Sequence, residues 1–334
     1  MARVLSGVQA SGLPHIGNYF GAIKQHVEMS HGDDDCYYFI ADYHALTTIQ
    51  DAEVLATNVH HATATYVALG LNTEKSAFFR QSDVPEVTEL TWLLATCTGM
   101  GLLERAHSYK DKLAKGIKPS VGLFTYPILM ASDILIYDAE IVPVGKDQVQ
   151  HVEMTQDMAG HLNNLYGAEL LKRPEWRLSP TPKVPGTDGE KMSKSYGNTI
   201  PIFAEGKPLK KIVNRILTDS REPHEPKNPD DLHVYAILDL FLTEDEKAEW
   251  RARIEAGGEN APGYGHMKKA IMEKMDELFG DARVKYRELL DTPAGQEELE
   301  AVLQQGAARA RATAQGVLAR VYDAVGIKNR GIGI

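Results

Sequence analysis

One stretch decides the fold of this chain: Val4-Leu5-Ser6-Gly7-Val8, followed by Gln9-Ala10-Ser11-Gly12-Leu13-Pro14-His15-Ile16-Gly17-Asn18. The first five residues are mostly apolar and predict a short buried strand. A glycine-containing turn leads from them into residues 19–27, whose apolar spacing predicts a helix. In such a strand–turn–helix unit, backbone N–H groups and the helix dipole can bind phosphate. His15 and Asn18 lie three residues apart, so both can face one ligand.

Apolar runs further along the chain predict the rest of a sheet. Residues 36–41 and 76–81 are predicted as two more buried strands, and residues 51–69 between them have the spacing of an amphipathic helix. The resulting βαβαβ alternation predicts an α/β fold with a doubly wound parallel sheet. A further strand is predicted at residues 139–144. The Gly-x-Gly-x-x-Gly fingerprint is absent from the first turn, which disfavours a dinucleotide-dependent dehydrogenase.

A second informative segment is Lys191-Met192-Ser193-Lys194-Ser195, which we name the lysine loop. Prolines and glycines in residues 182–189 disfavour a regular helix or central strand there, so the segment is predicted to be a loop. Two ammonium groups and two hydroxyls within it suit a polyphosphate whose negative charge grows during a reaction. Judged by the charges alone, a solvated linker between domains is the more common explanation of such a segment.

A third segment places three functional groups on one side of a predicted helix. Tyr126, Met130 and Asp133 share one helical face, in a helix expected to open at Pro127. A methionine at this spacing is usually core filler. An aspartate among apolar residues is different, because a buried carboxylate requires a hydrogen-bond donor. Asp133 is therefore the stronger candidate for a binding residue.

Length, composition and charge bound the class of protein. The chain has 334 residues, enough for two domains, and is 43% hydrophobic and 25% charged, which is ordinary for a globular protein. Its two cysteines give no disulfide framework, and we expect a soluble cytoplasmic protein without a membrane segment. The net charge of −10 disfavours a non-specific DNA binder. Two local basic patches could still contact RNA or could be solvated helix faces: Lys110, Lys112, Lys115 and Lys118, and Lys207, Lys210, Lys211 and Arg215.

The two phosphate-binding candidates together resemble the signature motifs of class I aminoacyl-tRNA synthetases. Residues 14–18 look like the first ATP motif of that class, and residues 191–195 match the second. Asn18, where most members have histidine, and Met130, where tyrosyl enzymes typically have glutamine, are similar to the tryptophanyl-tRNA synthetase family. Ala10 and Lys146 depart from the family pattern, which usually has proline and glutamate there.

The resemblance implies a domain organisation and an activity. It implies a Rossmann-like catalytic domain at 1–198 that includes the loop 182–198, an all-α anticodon-binding domain at 199–295, and a long C-terminal helix at 296–328 packing back towards the catalytic domain. The implied enzyme is a tryptophan–tRNA ligase, which converts L-tryptophan and ATP to tryptophanyl-adenylate and charges tRNA(Trp). Mg²⁺ would enter with ATP, no protein metal site is implied, and the family forms homodimers.

The resemblance also assigns site residues. An indole N–H of the substrate would supply the donor that Asp133 requires, and Met130 would pack against the ring. Catalytic roles fall to Lys112, Lys191, Ser193, Lys194 and Asn18. The residues implied for ATP are Gln9, Ser11, His15, Gly17, Asn18, Gly145, Asp147, Lys191, Met192, Ser193, Lys194 and Ser195. Those implied for tryptophan are Leu5, Gly7, Gln9, His44, Tyr126, Met130, Asp133, Val142, Val144 and Gln148.

Two alternatives remain open at this point. A tyrosyl-tRNA synthetase shares the motifs, although Met130 and Asn18 speak against it. A non-catalytic paralogue that binds an amino acid or RNA is the second, and the intact His15, Lys191 and Lys194 speak against it.

Overall fold

The computed structural model describes residues 1–10, 12–106, 120–178 and 184–327, with the side chain of Asp147 left out. Within these residues the chain forms one five-stranded sheet in which every neighbouring pair is parallel. The predicted α/β class and doubly wound sheet are confirmed. The strands, in the spatial order β3-β2-β1-β4-β5, are β1 (Arg3–Val8), β2 (Asp35–Ile40), β3 (Ala77–Arg80), β4 (Ile141–Val144) and β5 (Glu175–Leu178).

The strand order places a topological switch point at the centre of the sheet. From β1 the chain moves outward through β2 and β3, then returns to β4 and β5 on the other side of β1. Val4 of β1 pairs with Ile141 of β4, so the carboxyl ends of these two strands lie side by side. Ligands of doubly wound sheets bind in the crevice outside the strand ends at such a switch point.

Helices cover both faces of the sheet and form the C-terminal part of the chain. A π-helical turn at Tyr19–Ile23 joins the first two. The α-helices are α1 (Ile16–Asn18), α2 (Lys24–Ser30), α3 (Asp42–Ala45), α4 (Ala52–Ala68), α5 (Glu86–Cys97), α6 (Met100–Glu104), α7 (Val121–Leu135), α8 (Val149–Tyr166), α9 (Gly206–Asn214), α10 (His233–Leu238), α11 (Glu244–Ala256), α12 (Tyr264–Asp291) and α13 (Pro293–Val325). None of these described helices has the length and apolar character needed to cross a membrane.

Alternating side chains of the strands feed two cores, one on each face of the sheet. Leu5, Tyr37 and Phe39 lie in a core with α5, α7, α8 and α13, whereas Val4 and Tyr38 lie in a core with α10 and α12. Burying both faces explains why β1 and β2 are almost continuously apolar.

The long helix α13 lies against the edge strand β3. Gly306 permits this approach, since a Cβ atom there would overlap the backbone of Phe78. Arg309 pairs with Asp35 and Arg311 with Glu86, which fixes the helix along the sheet. The division of the chain into domains at residues 198 and 295 stays a prediction.

One local expectation was wrong. The helix expected to open at Pro127 begins at Val121, because the Ser120 side chain caps it by accepting the N–H of Leu123, and Pro127 lies inside it. Helix α6 ends at Glu104, and residues 107–119, which include the basic patch of Lys110, Lys112, Lys115 and Lys118, lie outside the described part of the chain. The edge strand β5 was not predicted, because all of its residues are exposed and it lacks a buried apolar run.

Candidate active site

The turn after β1 and the start of α1 form the first part of the site. Asn18 Oδ1 accepts the backbone N–H of His15 at 3.0 Å, and the Asn18 N–H donates to the His15 carbonyl at 2.8 Å. Ile16 N–H donates to the Ile200 carbonyl at 3.0 Å, and Ile202 N–H donates to the Pro14 carbonyl at 3.2 Å. These two backbone hydrogen bonds therefore hold residues 14–16 of the first motif against residues 200–202, which follow the lysine loop.

The two signature motifs meet at the glycines of this turn. A Cβ atom on Gly12, whose φ is +79°, would lie 3.7 Å from Lys194 Nζ. A Cβ atom on Gly17 would lie 2.9 Å from His15 Nδ1 and 3.4 Å from Met192 Cβ, so a larger residue at position 17 would push these side chains apart. The structure thus brings His15, Gly17, Met192 and Lys194 together at the start of α1.

Charge and burial affect the protonation of His15 and Lys194. His15 is 7% exposed, and its Nδ1 atom has no hydrogen-bond partner within the described residues. Burial and, to a lesser degree, the nearby Lys194 ammonium lower the pKa of His15 to about 4. The imidazole is therefore neutral near pH 7. Although the Lys194 side chain is exposed as a whole, desolvation lowers the pKa of its ammonium.

A single buried asparagine holds the lysine loop. Asn198 is 2% exposed, and its Oδ1 accepts the backbone N–H of Ser193 at 2.8 Å. Its Nδ2 donates to Asp188 Oδ1 at 2.7 Å and to the Lys191 carbonyl at 3.2 Å. Gly186 packs directly on the amide, since a Cβ atom there would overlap Asn198. Asn198 therefore fixes the backbone on both sides of Met192.

The tip of the turn before the lysine loop rests on the helical part of the chain. Gly189 has a φ of +85°, and a Cβ atom there would lie 2.6 Å from His233 Cε1, at the start of α10. The Thr187 carbonyl accepts the N–H of Leu217 at 2.9 Å. Within the loop itself, Ser193 Oγ lies 2.8 Å from Ser195 Oγ, whereas Lys191 extends into solvent.

A buried carboxylate organises the other side of the candidate site. Asp133 on α7 is 1% exposed, and its two oxygens bond His44 Nε2 and Gln81 Nε2, each at 2.7 Å. We name these three residues the carboxylate cluster. Burial raises the pKa of Asp133, while the bonds from His44 and Gln81 oppose this shift.

The carboxylate cluster corrects one expectation. Asp133 does not depend on a substrate N–H, because His44 and Gln81 of the chain already donate to it. An ionised carboxylate has about four acceptor sites, so it retains capacity for a further donor. Tyr126, on the same helix, packs edge-on to the His44 ring and bonds His151 Nε2 at 2.8 Å through its hydroxyl. His151, near the start of α8, thereby joins this network.

The remaining predicted site residues line the switch point or lie outside the described part. Leu5, Gly7 and Gln9 lie on or just after β1, and Val142, Val144, Gly145 and Gln148 lie on or just after β4. Met130 is partly buried on α7 against the core. Ser11, Lys112 and the side chain of Asp147 lie outside the described part.

Comparison with known proteins assigns the family. A family model described as tRNA synthetases class I (W and Y) matches residues 1–280. The Tryptophan--tRNA ligase of Rhodopirellula baltica is 49% identical over 329 residues, covering 98% of this chain and 100% of that protein. The Tryptophan--tRNA ligase of Campylobacter jejuni is also 49% identical, covering 97% and 100%. The chain belongs to the class I tRNA synthetases, among the tryptophan–tRNA ligases.

Solved structures agree with this family assignment. The tryptophanyl-tRNA synthetase of Campylobacter jejuni complexed with ADP and tryptophan matches with a TM-score of 0.88 and 49% identity, covering 97% of this chain and 99% of that one. A tyrosyl-tRNA synthetase from Archaeoglobus fulgidus matches at 18% identity with a TM-score of 0.64, which shows a shared fold alone. The chain is therefore an aminoacyl-tRNA synthetase and a nucleotide-using enzyme.

Sequence reasoning missed four residues that shape the site of this synthetase. They are Gln81, Gly186, Asn198 and His233. Gln81 follows β3 as Asp42 and His44 follow β2, so the rule that ligands bind at strand ends could have found it. No local pattern marks the others, because their partners are backbone groups or glycines brought close by the turn.

Proposed function

We propose that this synthetase activates L-tryptophan with ATP and transfers the tryptophanyl group to tRNA(Trp), working in the cytoplasm. The observation that carries the proposal is the contact of the two signature motifs, in which His15 and Gly17 meet Met192 and Lys194. A neutral imidazole, the N-terminal end of α1 and lysine ammonium groups then surround one space at the end of β1. That arrangement fits a nucleoside triphosphate.

Activation is a displacement at phosphorus. The tryptophan carboxylate attacks the α-phosphate of ATP in line, the bond to the bridging oxygen breaks, and pyrophosphate leaves with that electron pair. The terminal ribose hydroxyl of tRNA then attacks the carbonyl of tryptophanyl-adenylate, and AMP leaves. Neither step requires a covalent enzyme intermediate, so the protein contributes positioning and charge stabilisation.

We assign the phosphate end of the site to both signature motifs. His15, Gly17 and Asn18 would contact ATP from the start of α1, where the positive end of the helix dipole faces the phosphates. Lys191, Ser193 and Lys194 would contact the phosphates from the lysine loop, and charge builds up there as pyrophosphate forms. Lys112 would join them at the pyrophosphate end.

Mg²⁺ would arrive with ATP as part of the substrate. The described residues contain no group of three or more His, Cys, Asp or Glu side chains placed to hold a metal ion. The phosphate oxygens would therefore supply most of the ligands, which is usual for Mg²⁺ on nucleotides. When bound, the ion neutralises charge on the leaving pyrophosphate.

We assign the amino-acid pocket to the residues around the carboxylate cluster. Its walls would be the ends of β1 and β4 and the α7 face that carries Tyr126, Met130 and Asp133. Asp133 has acceptor capacity beyond His44 and Gln81, so an indole N–H can donate to it. A site that pairs a polar group with the substrate rejects analogues that lack it.

We also propose that the chain forms a homodimer. Trp92 on α5 is 70% exposed and Met100 on α6 is 62% exposed, and such large apolar side chains are typical of protein interfaces. Light scattering after size-exclusion chromatography should give a mass near twice 36.9 kDa. Trp92→Glu should shift this mass towards the monomer, and a wild-type monomer at micromolar concentration would reject the proposal.

Amino-acid-dependent ATP–pyrophosphate exchange tests the proposed reaction. Tryptophan, tyrosine and phenylalanine are compared with the full chain and Mg²⁺. Exchange with tryptophan alone is expected. Exchange with tyrosine would support the tyrosyl alternative, and no exchange from folded protein would support a non-catalytic role.

A further inference from the structure

Helix α9 follows the lysine loop and has one buried and one charged face. Leu209 and Val213 are buried in the core that also contains α12. Lys207, Lys210, Lys211 and Arg215 are all exposed on the helix or at its C-terminal end. Over these nine residues a helix rises by about 12 Å, so the four cations form a compact positive strip. We name them the α9 cations.

The α9 cations have no carboxylate partner. None of them lies within 4.0 Å of an acidic oxygen in the described residues 1–10, 12–106, 120–178 and 184–327. Glu205, the acid that precedes the helix, is already held by Arg283 and Arg287.

The neighbouring C-terminal helices pair nearly all of their cations with carboxylates. Every lysine and arginine of α11 and α13 forms an ion pair, and so does every one of α12 except Lys268. Lys268 donates to the carbonyls of Asn214 and Ile216 at 2.9 Å each, which adds a fifth cation beside the C-terminal end of α9. Among the described helices α9 to α13, α9 is therefore the one whose cations all lack a carboxylate partner, in a chain of net charge −10.

We propose that the α9 cations bind the phosphodiester backbone of the substrate tRNA. This inference rests on the proposed function. The Leu217 N–H, just after α9, donates to the Thr187 carbonyl next to the lysine loop, so the strip borders the place where adenylate would form. A tRNA held there would have its backbone next to the catalytic loop.

The chemistry favours RNA over other polyanions. Lysine ammonium groups bind phosphate as point charges and carry no base-specific geometry, so the strip positions a strand without reading its sequence. An anionic membrane is disfavoured, because amphipathic helices bind membranes through a free apolar face and that face of α9 is buried in the core.

A charge-neutralised variant tests the inference on the full chain. The variant carries Lys207→Gln, Lys210→Gln, Lys211→Gln and Arg215→Gln. The control loses four charges from cations that are ion-paired elsewhere, by Lys24→Gln, Lys172→Gln, Arg253→Gln and Lys285→Gln. Binding of a tRNA(Trp) transcript is measured by filter retention between 50 and 300 mM salt, together with the KM for tRNA and tryptophan-dependent exchange.

The variant should bind tRNA about 10-fold or more weakly than the control at 150 mM salt. For the variant, the slope of log affinity against log salt concentration should be smaller in magnitude by about 3. Each lost phosphate contact removes roughly 0.7–0.9 from this slope. Tryptophan-dependent exchange should stay within twofold of the wild type, since none of the α9 cations is assigned to the ATP or tryptophan site.

Equal affinity and equal slope for variant and control would overturn the inference. A comparable loss of binding to vesicles of anionic phospholipid, with tRNA binding unchanged, would overturn it in favour of a membrane. Failure of the proposed function looks different, because wild-type protein would then lack tryptophan-dependent exchange whatever the filter assay shows.

Discussion

The two sides of the candidate site are held in different ways. The carboxylate cluster joins residues 89 and 52 positions apart through bonds between buried or partly buried side chains. The lysine loop is held by Asn198, which is five residues from Ser193 and bonds mainly to nearby backbone. Asp133 is 1% exposed, whereas Lys191 and Lys194 are exposed.

This difference separates a rigid recognition site from a loop that can move. Hydrogen bonds in a buried, low-dielectric setting are strong, and leaving one partner unpaired there is costly. Local bonds in an exposed loop open at a small cost in free energy. We therefore expect the carboxylate cluster to select the amino acid in a preformed pocket, and the lysine loop to follow the phosphates during activation.

Removing the carboxylate should give the largest effect. Asp133→Ala should lower the discrimination between tryptophan and phenylalanine by roughly 10³-fold or more, because the pocket then lacks the carboxylate that accepts the indole N–H. It should also cost about 1–3 kcal/mol of stability, since His44 and Gln81 lose their shared acceptor. Exchange kinetics with both amino acids and thermal unfolding measure the two effects.

Glu86→Ala is the matched control for Asp133→Ala. Glu86 is also 1% exposed and is bonded by Arg311 and Gln315. The Glu86→Ala variant should be less stable than the wild type but should keep the discrimination between tryptophan and phenylalanine. Unchanged discrimination in folded Asp133→Ala would show that the cluster is only a structural element.

On the other side, Lys194→Ala should lower the rate of adenylate formation about 10²-fold and leave tryptophan affinity little changed. The ammonium is needed mainly when charge builds up on the leaving pyrophosphate. Single-turnover activation and tryptophan binding measure the two quantities. Lys24→Ala, an exposed lysine on α2, is the control. A wild-type activation rate in the Lys194 variant would remove Lys194 from catalysis.

The sequence predicted those parts of the molecule whose cause is local or periodic. Four of the five strands follow from buried apolar runs. The exposed strand β5 has no such run, so only its pairing with β4 defines it. In the site, Tyr126 and Asp133 followed from helical spacing. Gln81 follows a predicted strand, so its place at the sheet edge was open to prediction. His233 meets Gly189 only through long-range folding, which no local pattern encodes.

Loosening the support of the loop should have a smaller effect than removing its lysine. Asn198→Ala deletes the bonds to Ser193, Asp188 and Lys191, so the loop would reach its active geometry less often. We expect about a 10-fold lower activation rate, with a higher KM for ATP and unchanged selectivity for tryptophan.

Asn163→Ala is the control for Asn198→Ala. Asn163 also makes three side-chain bonds to nearby backbone, at Leu170 and Leu171, far along the chain from the loop. It should lower stability without changing the KM for ATP. If both variants changed ATP kinetics equally, Asn198 would have no specific role in positioning the loop.

The smallest effect should come from His15, which touches the lysine loop from the first motif. Its pKa is about 4 in the folded chain and about 6.5 when unfolded. The unfolded chain therefore takes up a proton first on acidification, so this group removes stability as pH falls from about 6.5 towards 4. His15→Gln should reduce the stability lost between pH 7 and pH 5 by about 1–2 kcal/mol, measured by urea unfolding.

The wild type and a variant of the exposed His224 are measured alongside, to show what replacing a surface histidine does by itself. His26 contributes a loss of the same sign, because burial also lowers its pKa to about 4, so part of the acid sensitivity must persist in His15→Gln. An unchanged pH profile in His15→Gln would mean that the imidazole is solvated. The corner between the two motifs would then be open to water, and the lysine loop would be held by Asn198 rather than by its contact with α1.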